Sequence, residues 1–310
     1  MHLTTLEDRA YQASLAKIIA QEKAASLVLK DALDDIRITM SKIYEKYAVG
    51  GVLSKAEMTR YNRLATAEAQ IQEILDPALR KTRAIMNRVP ALAYEEAFFR
   101  YAWAMDNGAA VRLKWGIVNM DQILANLANE MDKIAIETYG ADARILVRKA
   151  INRGLPVGKS YLEMAKDLKT ALETTNYNAL RIIRTEGTTA MNAGQDAAYA
   201  RAEDQGIEGS YVWDATLDGK TRPSHGTMDQ KRRNEEGVFD GPEGEHPHYP
   251  GDEILTAKNR INCRCRLRFE VEGYSPLIRR TRDEGLVPYQ DYATWKAGNE
   301  GTGPKIRYSA

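Results

Sequence analysis

Residues 259–273 read NRINCRCRLRFEVEG. From Ile261 the residues alternate: Ile261, Cys263, Cys265, Leu267, Phe269 and Val271 share one face, and Asn262, Arg264, Arg266, Arg268, Glu270 and Glu272 the other. A period of two is the mark of a half-buried β-strand. Upstream, GSYVWDATLD (209–218) has the same texture, and a loop rich in Gly, Pro, His and Asp separates the two stretches. Two strands behind a long helical segment predict an α+β module with a small antiparallel sheet packed on a helix.

Working outward, the first half reads as helix after helix. Leu29, Leu33, Ile36, Met40, Ile43 and Tyr47 recur in steps of three and four, the stripe of a long packed helix. Gly50-Gly51 ends it. Ser54 with Glu57 is a capping box for a second helix carrying Met58, Tyr61, Leu64, Ile71 and Leu75. Pro90 is expected to open an aromatic-rich helix. Further helices are expected over about 118–139, 141–151 and 176–202 on the same periodicity. The fold class is therefore mainly α with a C-terminal α+β module and long N-terminal helices. The expected organisation is a helical region at 1–150, the α+β domain at 151–273 and a tail at 274–310. GLPVGKS (154–160) resembles a phosphate-binding loop, but its first glycine is one place too late and it follows a helix. Gly154 as a helix end, with Ser160 and Glu163 as a cap, accounts for it.

Bulk properties exclude some classes. A net charge of +1 over 310 residues gives no global basic field for nucleic acid. The apolar runs fall short of a membrane span. MHLTTLEDRAYQ lacks the basic-then-apolar pattern of a signal peptide. With only two cysteines, the expectation is a reducing compartment.

Those two cysteines, and every histidine except His2, lie between residues 225 and 265. On a regular strand the Cβ atoms of Cys263 and Cys265 are about 6.6 Å apart, too far for a disulfide. They are either small core residues or ligands of a metal. His225, one of His246 or His248, Cys263 and Cys265 would complete a tetrahedral Zn²⁺ shell, and four protein ligands make such a site structural.

Three stretches in order, RIIRTEGTTAMNAGQDAAYARA (181–202), YVWDATLDGKTRPSH (211–225) and NCRC (262–265), resemble the bacteriophage head-morphogenesis family of Mu F-like minor capsid proteins. The matching positions are Arg184, Thr185, Glu186, Asn192, Trp213, Asp218, Thr221, Arg222, His225, Asn262, Cys263 and Cys265. Some members carry Cys-x-x-Cys where this chain has RPSH, and a histidine just before Cys-x-Cys, which looks like a zinc site. Here Arg222 and His225 take the first two places, and His246 or His248 would have to supply the last. Gln230 stands where a glycine is common in the family. The resemblance implies a non-enzymatic minor head protein of a tailed phage. It would bind the portal protein and meet other capsid or scaffolding proteins. Its roles would be in procapsid assembly, DNA packaging or ejection. It would reside in the virion, at the capsid interior or portal vertex, and in the host cytoplasm during assembly.

Two polar groups remain. Arg184 is expected to clamp a carboxylate such as Asp218 from the following hairpin. Arg260, Arg264, Arg266 and Arg268 would form an exposed cationic face that meets double-stranded DNA or an acidic partner, or one balanced by Glu270 and Glu272. A competing functional reading is a metal-dependent nuclease or hydrolase built on Asp218, His225, His246, His248 and Asp252.

Overall fold

The computed structural model describes residues 3–108, 113–115, 130–154, 157–271, 278–281 and 285–288. The chain is mainly α: α1 (Leu3–Tyr47), α2 (Lys55–Thr59), α3 (Arg63–Gly108), α4 (Glu130–Gly154) and α5 (Tyr161–Glu203) precede the sheet. β1 (Gly209–Asp214) pairs antiparallel with β2 (Arg266–Val271), from Gly209 opposite Val271 to Asp214 opposite Arg266. Between them lie the single turns α6 (Pro223–Gly226) and α7 (Ala257–Arg260). In the expected tail, β3 (Ile278–Thr281) and β4 (Gly285–Pro288) form a second antiparallel pair.

The chain gathers into two compact units. Unit 1 comprises Met1–Ile18, Pro90–Ala128 and Thr185–Ala310, and unit 2 comprises Ile19–Val89 and Asn129–Arg184.

Unit 2 is helical. The expected stripe on α1 is in its core: Leu29, Ile36, Met40 and Ile43 are buried, as are Ile71, Leu75, Val147, Ile151, Met164 and Leu168. Ser54 caps α2 by accepting from the Glu57 N–H at 3.1 Å. The helix expected to continue from there breaks instead. Tyr61 and Asn62 both take left-handed backbone (φ 54° and 56°), and Tyr61 faces solvent. The break lets Arg63 reach Glu57 at 2.7 Å and lie over the Tyr47 ring at 4.4 Å. Ser160 and Glu163 form the expected capping box, with the Ser160 N–H donating to Glu163 at 2.8 Å. GLPVGKS thus falls where one helix ends, at Gly154, and the next begins, at Tyr161; residues 155–156 lie outside the described ones. The helices expected over 118–139 and 141–151 meet as one, α4, which runs through Gly140; residues 116–129 lie outside the described ones.

Pro90 does not open a helix; it lies inside α3. A proline there removes one intrahelical hydrogen bond, and the boundary between the units falls at this residue.

Unit 1 holds the sheet. Two strands alone are marginal in water because both edges stay unpaired. Here each edge is covered. Residues 230–233 line β1: the Gln230 N–H donates to the Trp213 carbonyl, the Trp213 N–H to Lys231 and the Arg233 N–H to Tyr211. Gln230 has φ 67°, so the turn keeps the left-handed conformation that a glycine would adopt freely. Side chains of α5 line β2, as described below. Tyr101, Tyr199, Tyr211 and Phe269 pack as a ring cluster behind the sheet, with Tyr199 stacked on Phe269 at 5.1 Å. At Gly194 a Cβ would lie 2.4 Å from the Tyr94 carbonyl oxygen, so a glycine is what lets α5 approach α3.

Candidate metal centre

The cysteine corner is a bend, and β2 begins only after it. Four features turn the chain there. α7 ends at Arg260, whose carbonyl accepts from the Cys263 N–H at 3.1 Å. Asn262 takes φ 55°, a conformation asparagine tolerates better than most residues. Its N–H donates to Thr185 of α5 at 3.1 Å. Thr216 donates to the Arg264 carbonyl at 2.6 Å. The regular strand therefore begins only at Arg266, and Cys263 and Cys265 are both free thiols.

His225 comes to this corner from α6, which opens with Pro223 at its first position, where a missing N–H costs nothing. Its Nδ1 lies 3.6 Å from Cys263 Sγ and 3.4 Å from Cys265 Sγ. All three side chains are buried, and their ligand atoms lie within 4.8 Å of one another. A zinc ion about 2.3 Å from sulfur and 2.0–2.1 Å from nitrogen sets tetrahedral N···S edges of roughly 3.5 Å. The observed separations match that edge, so these donors fit three corners of a zinc tetrahedron. The two thiols are shifted in opposite directions. A hydrogen bond from Cys265 holds Cys263 below the usual thiol range against the effect of burial, while Arg222 and Arg264 add attraction for its thiolate. The same thiol contact, then burial, raises Cys265 well above it.

His246 and His248 do not join this group. Both are exposed. His246 Nδ1 is 3.8 Å from Asp240, and His248 Nδ1 is 3.2 Å from Asp252. Their loop is held elsewhere, with the Phe239 N–H donating to Pro247 and the His248 N–H to Asp252. Arg222, at the place of a family cysteine, donates to the Ile261 carbonyl and ties α6 to the bend. Among the described residues, His225, Cys263 and Cys265 are the one His/Cys/acid cluster with ligand geometry. The hydrolase constellation is not assembled, because Asp218 is held by Arg264 at 2.5 and 2.6 Å. Burial raises Asp218, but hydrogen bonds from Arg264 and the Lys220 N–H outweigh it and keep the carboxyl below its ordinary range.

Polar residues of α5 act as a clamp. Asn192, fully buried, accepts from the Leu267 N–H at 3.0 Å and donates to the carbonyls of Cys265 at 3.1 Å and Pro250 at 2.6 Å. Gln195 donates to the Leu267 carbonyl at 2.7 Å, and Thr189 to Gly251 at 2.6 Å. Gln195 and Thr189 are not among the motif residues of the sequence. Their signal is position: Thr189, Asn192 and Gln195 recur every three residues on one helix face.

The arginines find carboxylates. Arg184 forms a bidentate pair with Glu22 at 2.7 and 2.8 Å, so it is Arg264, not Arg184, that clamps Asp218. Arg266 lies between Asp214 at 2.6 Å and Asp8 at 2.7 Å. Arg268 pairs with Glu270 at 2.5 Å, and Arg260 with Glu186 at 3.1 Å. Arg260, Arg266 and Arg268 are buried. The face that alternation assigned to solvent is covered by the first turns of α1, so it presents no exposed cationic ridge.

A family model described as Phage Mu protein F like protein matches residues 146–268, the span of these motifs. The minor head protein GP7 of Bacillus phage SPP1 is 26% identical over 291 residues, covering 91% of this chain and 94% of that protein. A protein of Enterococcus faecalis named NAD(+)--arginine ADP-ribosyltransferase EFV is 26% identical over 277 residues. That match covers 87% of this chain but 55% of that protein. No solved structure matches. The ordered motifs thus lie in a segment, residues 146–268, that resembles the Phage Mu protein F like family, and most of the chain is similar to a phage minor head protein.

Proposed function

We propose that the chain is a non-enzymatic minor head protein of a tailed phage. In this reading it binds the portal, enters the procapsid and acts in assembly, packaging or ejection of DNA. It resides in the virion, after a passage through the host cytoplasm. The carrying observation is the alignment with the SPP1 minor head protein along nearly the full length of both chains. Among the described residues no helix is long and apolar enough to cross a membrane. The activity named for the Enterococcus faecalis relative belongs to a protein of which this chain spans about half.

Within that reading the metal corner is a buried fastening, although three protein ligands leave the fourth position of a tetrahedral ion open. His225, Cys263 and Cys265 would hold Zn²⁺ and fasten α6 to the bend before β2. A bound zinc would lend a loop-rich module stability it otherwise lacks. In this reading residues 151–273 are the Mu F-like domain, between a helical region at 1–150 and a tail at 274–310.

The test is co-sedimentation of the purified chain with its phage's portal protein, with zinc measured on the same preparation. The expected result is a stable complex and about one zinc per chain, lost in His225→Ala. No complex between two folded partners would overturn the portal reading. Plasmid cleavage in Mg²⁺, Mn²⁺ or Zn²⁺ that His225→Ala abolishes would replace it with the hydrolase.

A further inference from the structure

At one end of unit 2 the loop after α1, the break before α3 and the turn between α4 and α5 come together. Val52 bridges to Val49 on one side and to Ser160 on the other. The Arg63 guanidinium lies over the rings of Tyr47 and Tyr61, at 4.4 and 5.4 Å. Four large apolar side chains project from this end: Val49 is 77% exposed, Tyr61 87%, Val157 72% and Leu162 76%. Single exposed apolar residues need no explanation, but a cluster of them marks a contact surface.

Backbone conformation adds a second observation. Tyr61 and Asn62 are consecutive left-handed non-glycine residues, and Gly50, Gly51 and Gly158 are left-handed too. A bulky aromatic residue is an outlier in that region, and such outliers persist where they serve a site. Here the strained residue presents its ring to solvent. Tyrosine is enriched among the residues that dominate binding energy.

Charge indicates the partner. Lys46, Lys55 and Arg153 are exposed around the apolar centre, with no ion pair among the described residues. Of the nearby carboxylates, Glu57 is paired with Arg60 and Arg63 and Asp167 with Lys159; Glu163 accepts from Ser160 and keeps its charge, so the cations still outnumber it. An apolar centre with a cationic rim complements an apolar groove edged by carboxylates.

We propose that this end of unit 2 is the surface through which the chain docks into an acidic-rimmed apolar groove of the portal protein. The inference rests on the portal reading above and assigns it a place. The double variant Tyr61→Asn, Leu162→Glu tests it without endangering the fold. Asparagine tolerates the left-handed backbone, and a glutamate in the first turn of α5 suits the helix dipole. Leu27→Gln, at an exposed position along α1, is the control. Binding to immobilised portal protein is measured for all three chains after matched thermal unfolding curves. The double variant is expected to bind at least about tenfold more weakly, and Leu27→Gln as the parent does. Parent and double variant binding alike would overturn this surface and leave the portal reading standing. A parent that does not bind would overturn both. Binding to phosphatidylglycerol vesicles that the double variant loses, with portal binding intact, would assign the surface to lipid and overturn the proposal.

Discussion

Exchanging Asn192 for aspartate keeps the side chain's shape and removes its two donors. In the parent, this amide serves three buried backbone groups: the Leu267 N–H and the carbonyls of Pro250 and Cys265. Each buried group left without a partner costs about 1–3 kcal/mol, so three of them put the cost of Asn192→Ala at roughly 3–9 kcal/mol. That is a large share of the 5–15 kcal/mol typical of a folded domain, as an order of magnitude. Asn192→Asp should behave differently with pH. Its new carboxyl would face two carbonyl oxygens, which favour the protonated form, so its folded pKa is raised above the unfolded value of about 3.9. Below that value both states are protonated and the cost is small. Above it, the unfolded chain ionises while the folded chain holds the proton, and stability falls by about 1.4 kcal/mol per pH unit until the folded pKa is reached. The tryptophans at 103, 115 and 213 lie in unit 1, so urea unfolding followed by tryptophan fluorescence reports on this unit. The deficit of Asn192→Asp relative to the parent should grow by at least about 2 kcal/mol between pH 5 and pH 7.5. A pH-independent deficit, or an Asn192→Ala variant within about 1 kcal/mol of the parent, would refute the clamp.

Three further outcomes follow from unit 1. Burial pushes Glu7 up to about 7, against the attraction of Arg268 and a hydrogen bond from Tyr199. A raised carboxyl stabilises at low pH and loses its contribution as pH rises from its unfolded value to about 7, so Glu7→Gln should gain stability relative to the parent by up to about 3 kcal/mol between pH 4.5 and 8. A loss over that range in tryptophan-monitored unfolding would show Glu7 to be an ionised partner of the arginines. Gly194→Ala puts a methyl 2.4 Å from the Tyr94 carbonyl oxygen, and overpacking of this kind costs about 1–3 kcal/mol. A thermal midpoint equal to the parent's would mean that α5 and α3 are not held this closely. Arg266→Met leaves Asp8 and Asp214 buried without their shared cation, a loss of about 3–5 kcal/mol. Partial recovery on adding Asp8→Asn is the check that charge, not packing, is responsible.

Local pattern determined most of the elements. The stripe from Leu29 to Ile43, the Ser54 and Ser160 caps and the two strands follow from periodicity and capping chemistry, which act within a few residues. The pairing of cysteines with His225 was also legible, because residue types that share a chemistry were concentrated in one segment. Tertiary structure decided which partner each polar group meets. Alternation cannot show that the arginine face of β2 is covered, because the carboxylate over Arg266 comes from Asp8, 258 positions away. Nor can it show that Arg264 rather than Arg184 takes Asp218, or that His246 and His248 turn to their own loop acids. A buried guanidinium is tolerated only beside a carboxylate that the rest of the fold delivers, so its place depends on the whole chain and no short window contains it.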